Sequence, residues 1–575
     1  MKMLAKINKI SSWQAALILA VVGFAVFSTG LNNPFWNDDF KLIVYNPVVH
    51  SISHIRIFFS TGTFYFGSAT HLSGVYYRPV TTTVFSTIYT LFGAHPIAFR
   101  LFQLLLGIGC AYMLYLIFRY FFNPVTAISL SLIFLVHPLN SQNFYAIPYT
   151  QDLLFFFFGS LAIWLLLRFN SIKSLWLVAL CLLASLLSKE TAILFIAMAL
   201  LYLFWFNRDR LYKFIEIMVF PVTLYLLLKI HAVGLNSNPL NAPIDKLNLW
   251  QRLLTAPSIM QFYLTKFIFP WKLASAYYWV YTKFSFDHVF IPLVIDLLVI
   301  GLVVYISRLV RKKLSKEQFR IYLFFTVWAA LGLLAHLQIV PLDMTACETW
   351  FYFSMVGILG MIGMILIAYQ NRIRPKWFFI IAALVISIFA FRSALRGLDW
   401  SNTYKLAIMD INISKDDYAE YTSLSAYTLM RGNYVNAQKY ALHSISILPT
   451  GDGYSDLGLA LANSRDFPAA MKAYNVGLKI YTDPTIYENI GALTLVYGQP
   501  SLQQTFLLKA VNILPNDASL WTDLALFDDK YGDNAGAKVA ISNADKYGLI
   551  YPQIYNYIMN NQTFSVTEYG YIIKI

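Results

Sequence analysis

The sequence predicts an all-α protein in two parts, a polytopic membrane bundle of about 11 transmembrane helices over residues 1–400 and a helical solenoid after it. Three observations predict this. Of 575 residues, 58% are apolar and only 13% charged, at a mean hydropathy of +0.57, outside the range of soluble chains. Before residue 400 the apolar residues gather into runs that approach the ~20 residues a bilayer-crossing helix needs. After Trp400 the composition turns to Asn, Asp, Lys, Ala and Tyr, and a period of 33–34 residues begins.

The apolar runs fall near 12–30, 97–118, 124–139, 150–167, 174–188, 191–206, 211–229, 286–308, 320–338, 350–368 and 377–393. Their sidedness follows from the basic residues. Lys2, Lys6 and Lys9 precede the first run, and Arg119 follows the second. Arg168 with Lys173, then Arg208, Arg210 and Lys213, then "RLVRKKLSK" and "NRIRPK" occupy later loops. With eleven spans all of these fall on one side, which puts the N-terminus in the cytoplasm. The opposite side receives residues 31–96, the "HPLNSQNFYAIPYTQD" loop, 188–191, 230–285, 340–349 and the C-terminal region. This arrangement requires the apolar pieces 80–92 and 258–269 to lie along the outer interface without crossing. The basic, apolar N-terminus reads as an uncleaved first span. The expected location is the plasma membrane, or the endoplasmic reticulum membrane in a eukaryote.

The formal charge of +14 sits in short loops between apolar runs and so points to topology, not to nucleic acid. Cys110, Cys181 and Cys347 are far apart, with no CxxC pair or His/Cys cluster to suggest a disulfide framework or a zinc site.

In the C-terminal part, Tyr421, Tyr454, Tyr487 and Trp521 share one phase of the period, with Leu424, Leu457, Ile490 and Leu524 three residues later. Ser425, Gly458, Gly491 and Ala525 follow, Ala437, Ala470 and Ala537 mark a second helix, and Pro449 and Pro515 close units. The pattern resembles the tetratricopeptide repeat, whose small positions let paired helices pack closely. It gives a linker at 401–416, about four repeats over 417–550 and a tail at 551–575. Such arrays hold peptides or partner domains; a purely structural cap on the membrane part is the plainer alternative.

The conspicuous polar residues of the first part fall on the outer side. Asp38 and Asp39 stand directly after the first span, where carboxylates near hydrocarbon are costly. Asn46, His71, Tyr77, Arg78, His137, Gln142, Asp152, Lys189, Glu190, Lys272, Tyr277, Tyr278, Asp343 and Glu348 follow in outer loops or span ends. Arg78 and Lys272 have an alternative reading as interfacial anchors, and Lys189 with Glu190 as a buried ion pair. Taken together they suit transfer from a lipid-linked donor to a hydroxyl. An aspartate, Asp38 or Asp39, accepts or aligns the acceptor's proton. Arg78, Lys189 and Lys272 neutralise the departing lipid phosphate.

The order of short motifs carries a resemblance. Asp38-Asp39, Asn46, Tyr77-Arg78-Pro79, His137-Pro138, Lys189-Glu190, Phe269-Pro270-Trp271-Lys272-Leu273, Glu348 with Tyr352, and Arg396 with Trp400 follow one another. This series resembles the GT-C membrane glycosyltransferases, and among them the transmembrane and tetratricopeptide-repeat O-mannosyltransferases. The family's arginines before Asp152 and after Glu348 are here Gln151 and Thr349, and a family proline is Ser354. The resemblance implies a polytopic GT-C fold followed by an extracytoplasmic tetratricopeptide solenoid. It implies an inverting enzyme that moves mannose or another hexose from a polyprenyl-phosphate donor to Ser/Thr hydroxyls of extracytoplasmic proteins. The expected partners are that lipid-linked sugar, the membrane lipid and an acceptor protein or peptide held by the repeats. No cofactor is required, and Asp38 with Asp39 would be the place for a divalent cation. The alternatives are sugar transfer to a lipid or cell-surface glycan, as in aminoarabinose transferases, and a non-enzymatic membrane-anchored scaffold.

Overall fold

A computed structural model describes residues 10–64, 76–235, 242–372, 375–481, 484–496, 500–547 and 552–560. Lys2, Lys6, Lys9, His71 and residues 561–575 lie outside them.

Each of the eleven apolar runs forms a helix: Ser12–Phe27, Pro96–Phe121, Pro124–Val136, Thr150–Arg168, Ile172–Ser188, Ile193–Phe206, Arg208–Val233, Ile291–Arg311, Lys316–Leu334, Phe351–Ala368 and Pro375–Asp399. Seven are long and apolar enough to cross a membrane, and an eighth arises if Pro124–Val136 and Pro138–Tyr145, bent by 53°, count as one span. Of the remainder, Ile172–Ser188 and the helical stretch Glu190–Phe206 are apolar but short, and Lys316–Leu334 opens on Lys316, Glu317 and Arg320. Prolines at the first positions of Pro96–Phe121 and Pro124–Val136 suit starts where no amide partner is needed. Ser11 and Ser315 build reciprocal capping boxes with Gln14 and Gln318.

The chain divides into two compact units. The first comprises Met1–Trp36, Phe58–Gly62 and Tyr77–Leu406 and holds all eleven apolar helices. Within it Thr150–Arg168 packs between Pro96–Phe121 and Ile172–Ser188. Lys316–Leu334 packs on Phe351–Ala368 so closely that a Cβ at Gly357 would stand 2.2 Å from the Ala329 backbone nitrogen. A small residue at a membrane helix crossing has this use, since backbone approach replaces the hydrophobic drive that lipid cannot supply. Pro79–Phe92 and Leu249–Ile268, the two pieces expected along the interface, are helices outside the group apolar enough to cross.

The second unit comprises Asn37–Ile57, Thr63–Tyr76 and Ala407–Ile575. Four helix pairs follow the 33–34-residue period: Tyr418–Met430 with Tyr434–Ile447, Gly451–Asn463 with Phe467–Ile480, Pro484–Val496 with Pro500–Ile513, and Ala518–Lys530 with Asn534–Lys546. Asp417, Asn433, Thr450, Asp466, Asp517 and Asp533 each cap a helix start by accepting an amide. Ala437, Ala470 and Ala537 are buried between paired helices, and the Gly458 position lies against the Tyr474 ring.

Two stretches outside the repeats are helical. The expected linker 401–416 contains a helix, Thr403–Ile413, which buries Leu406, Ala407 and Asp410. At 11 residues it is too short for a membrane span, and it stands before the first repeat period, so neither sequence signal reached it. The expected tail begins with a helix, Pro552–Asn560, whose Ile554 and Ile558 enter the apolar cluster of Leu524, Ala537 and Ile541. That spacing of four residues gives one apolar stripe, enough to cover an open repeat end. A third finding had no sequence signal: the Asn37–Ile57 segment, which carries both aspartates, groups with the C-terminal helices.

Candidate active site

In the first unit the residues expected on the outer side meet at one end of the bundle. Pro79–Phe92 starts at Arg78, Thr150–Arg168 carries Asp152 in its first turn, and Ile172–Ser188 ends at Lys189. Lys189 adopts an extended backbone conformation (φ −162°, ψ 138°), so the chain breaks between two apolar helices. Lys189 Nζ reaches Asp152 Oδ1 at 2.6 Å, both side chains under one-tenth exposed. Arg78 donates from Nη2 to Glu190 Oε1 at 2.9 Å, from Nε to Glu190 Oε2 at 3.3 Å, and from Nη1 to Gln151 Oε1 at 2.6 Å. Lys189 and Glu190 thus do not pair with each other; each reaches a different helix. A buried charge persists only when compensated, and this exchange of partners compensates the three buried charges of Arg78, Asp152 and Lys189, with Glu190 partly exposed. Gln151, where the resembling family has arginine, accepts the Arg78 guanidinium.

A second cluster lies on the loops 269–278 and 335–350. Glu348 is fully buried, and its Oε1 accepts from the Ala274 amide at 2.8 Å and the Tyr277 hydroxyl at 2.9 Å. Burial, with the Glu348 charge adding to it, pushes the Tyr277 hydroxyl well above its ordinary range, so it remains a donor. Lys266 donates to the Lys272 carbonyl, and its ammonium lies 5.8 Å from the Tyr277 ring centroid. Burial holds Lys266 below its ordinary pKa; Glu348 opposes this, while Arg396, Lys272 and Arg392 add to it. Four cations therefore act around Glu348, and Arg392 Nη1 also lies 3.9 Å from Asp399 Oδ2. Arg392 donates to the Trp271 carbonyl at 2.9 Å, and Arg396 is fully buried with its guanidinium 6.0 Å from the Trp400 ring centroid. Lys266 and Arg392 carry no motif and were not singled out in the sequence. Their signal is only that each is a cation near a span end.

The two clusters are joined. Tyr149, three residues before Asp152, lies with its hydroxyl 3.7 Å from Cys347 Sγ, next to Glu348. Gln142 donates to the Ser275 carbonyl at 2.9 Å. Thr349, the second lost family arginine, is buried with its hydroxyl 3.3 Å from Cys347 Sγ.

Other expected site residues have structural partners. His137 is fully buried, its Nδ1 accepting from the Leu139 amide at 3.3 Å while Nε2 lies 3.0 Å from the Phe267 carbonyl. That pairing fits a neutral ring protonated at Nε2, a brace at the bend and not a proton shuttle. Tyr77 donates to the Phe59 carbonyl at 2.9 Å. Arg100, which the sequence reading passed over, is buried and ties the Asn33, Pro34 and Tyr145 carbonyls together.

Asp38, Asp39 and Asn46 belong to the second unit. Asn37 takes a left-handed conformation (φ 43°), which asparagine tolerates, and its carbonyl accepts the Phe40 amide. This turn precedes a π-helical segment, Phe40–Val44. It leaves Asp38 partly exposed and Asp39 buried (1%), with Asn46 buried at the start of Pro47–His50. Among the described residues no group of three or more His, Cys, Asp or Glu is placed to hold a metal ion.

The bundle and its polar end define a multi-pass membrane protein. Residues 78–233, running from Arg78 through Asp152, Lys189 and Glu190, match the family described as dolichyl-phosphate-mannose-protein mannosyltransferase. The match makes this segment, about a quarter of the chain, similar to that membrane glycosyltransferase family. The apo oligosaccharyltransferase of Archaeoglobus fulgidus is similar at 14% identity and a TM-score of 0.34, over 76% of this chain and 60% of that one. The chain thus spans less than two thirds of that enzyme. ArnT from Cupriavidus metallidurans, bound to undecaprenyl phosphate, is similar at 14% identity and a TM-score of 0.31, over 94% of this chain and 88% of that one. At these scores the likeness adds nothing to the family match. No curated protein matches the chain.

Proposed function

We propose that the protein transfers a monosaccharide, mannose or another hexose, from a polyprenyl-phosphate donor to Ser/Thr hydroxyls of extracytoplasmic proteins, with inversion. The observation that carries this reading is the family match over residues 78–233, which contains Arg78, Asp152, Lys189 and Glu190. Asp38 or Asp39 takes the proton of the acceptor hydroxyl as its oxygen attacks the anomeric carbon. The bond from that carbon to the phosphate oxygen breaks, and the lipid phosphate leaves with the electron pair. Cations near the leaving oxygen stabilise this charge most where water is excluded. Arg78 and Lys189 already face Glu190 and Asp152, so in this reading they position the donor end of the bundle. Lys266, Lys272, Arg392 and Arg396 outnumber Glu348 and Asp399 and suit the phosphate better. The helical repeats hold the acceptor polypeptide on the outer side, and the N-terminus is cytoplasmic.

Glycan mass spectrometry tests this on extracytoplasmic proteins from cells carrying wild type, Asp38→Asn or Asp39→Asn at equal membrane abundance. Loss of a hexose-sized adduct from Ser/Thr peptides supports the reading. Unchanged protein glycans with an altered lipid or polysaccharide profile would reassign the acceptor, and no change in either would leave a scaffold.

A further inference from the structure

At the end of the bundle away from the polar clusters, where Ile193–Phe206 stops and Arg208–Val233 begins, lies an open cleft of ≈ 650 Å³. It is lined by the Phe204–Arg208 turn together with Arg320 and Leu323. The guanidiniums of Arg208 and Arg320 are exposed, and no carboxylate lines the cleft. Arg208 spends one donor on the Phe204 carbonyl and stacks on that ring at 4.7 Å. Asp209 and Glu317 are exposed neighbours in sequence, but neither lines the cleft. The 26-residue Arg208–Val233 helix starts without a side-chain cap from Asn207, so its positive end adds to the two arginines.

We propose that this cleft binds the phosphate of an anionic membrane phospholipid. Trp205, Phe206 and Leu323 supply an apolar wall beside the cations, the combination a lipid needs where headgroup meets acyl chain. A free phosphate would use the cations and leave that wall idle. Phe204, 46% exposed, belongs to the same wall, and Ile215, also 46% exposed, adds apolar surface on the adjoining helix. The basic turns that contribute Arg208 and Arg320 also carry Arg311, Lys312, Lys313 and Lys316, as a cytoplasmic leaflet rich in anionic lipid favours.

The test is native mass spectrometry of the purified full chain equilibrated with equal amounts of phosphatidylglycerol and phosphatidylcholine of matched acyl chains. Wild type should retain phosphatidylglycerol preferentially. R208Q/R320Q should lower that retention roughly thirtyfold, each cation at an anionic surface being worth about a factor of five. R208K/R320K should keep most of it, which separates loss of charge from misfolding. K213Q/K312Q, outside the cleft, should change it little. Equal retention of the two lipids by wild type, or an equal loss in K213Q/K312Q, would overturn the proposal. Displacement of the lipid by millimolar glycerol phosphate would overturn it in favour of a soluble phosphate.

Discussion

Lys189 and Asp152 meet at 2.6 Å across two helices, with side chains 9% and 2% exposed. Removing one partner leaves a buried charge without compensation, which costs about 3–5 kcal/mol. Asp152→Asn should therefore destabilise the protein strongly. Lys189→Met/Asp152→Leu together should cost much less than the sum of the two single changes. Thermal unfolding of all variants in one detergent checks this, and additive losses would show that the pair is not coupled.

Arg78 divides its donors between Glu190 and Gln151. Gln151→Arg restores the residue of the resembling family but sets a second cation against Arg78 with one carboxylate to share. The expected result is a loss of about 1–3 kcal/mol, the penalty for a hydrogen-bonded charge that loses its acceptor. Gln151→Glu should be neutral or stabilising in the same assay.

Arg396→Met should weaken binding of a polyprenyl-phosphate donor about tenfold to a hundredfold, since a charge-assisted hydrogen bond contributes roughly 1.5–3 kcal/mol. Glu348→Gln removes one of the two negative charges facing these cations, Asp399 being the other, and should strengthen donor binding. Titration with the non-hydrolysed lipid phosphate reads both effects, and weaker binding on Glu348→Gln would place the phosphate elsewhere.

The repeats should lose stability as pH rises. Burial pushes the Asp523 carboxyl well above its ordinary range, with Glu488 beside it adding to the shift, and burial does the same to Asp456. Because the unfolded chain releases these protons first, stability is full below pH ~4 and falls until the folded-state pKa values are passed, by about 1.4 kcal/mol per unit of separation. Hydrogen exchange over 484–496 and 518–530, corrected for intrinsic rates, should be faster at pH 8 than at pH 5. Asp523→Asn should reduce the difference.

Gly357→Val places side-chain atoms where a Cβ alone already stands 2.2 Å from the Ala329 nitrogen. Overpacking of this kind costs about 1–3 kcal/mol. Gly301→Val, with nothing within 4 Å of its added Cβ, should be nearly neutral in the same unfolding assay.

The helices were legible because apolar runs and a 33–34-residue period are local signals. The Thr403–Ile413 and Pro552–Asn560 helices were not, each being too short for a span and lying outside the repeat period. In the site, residue identities were legible and partnerships were not. Adjacent Lys189 and Glu190 read as a pair in sequence, yet they face Asp152 and Arg78, which lie 37 and 112 residues away in the chain. Lys266 and Arg392 gain meaning only from the loops that fold over Glu348, a tertiary fact with no spacing to announce it.

The central claim is lipid-phosphate-dependent sugar transfer that uses the first outer loop. Its most direct measurement is transfer of labelled hexose from polyprenyl-phosphate hexose to a Ser/Thr-rich polypeptide by the purified chain in proteoliposomes, with Asp38→Asn and Asp39→Asn beside wild type. The account predicts transfer with inversion by wild type, and a loss of at least about a hundredfold in one of the two variants, the usual scale for removing a general base. Wild-type transfer undiminished in both variants, or none from any lipid-phosphate donor, would contradict it.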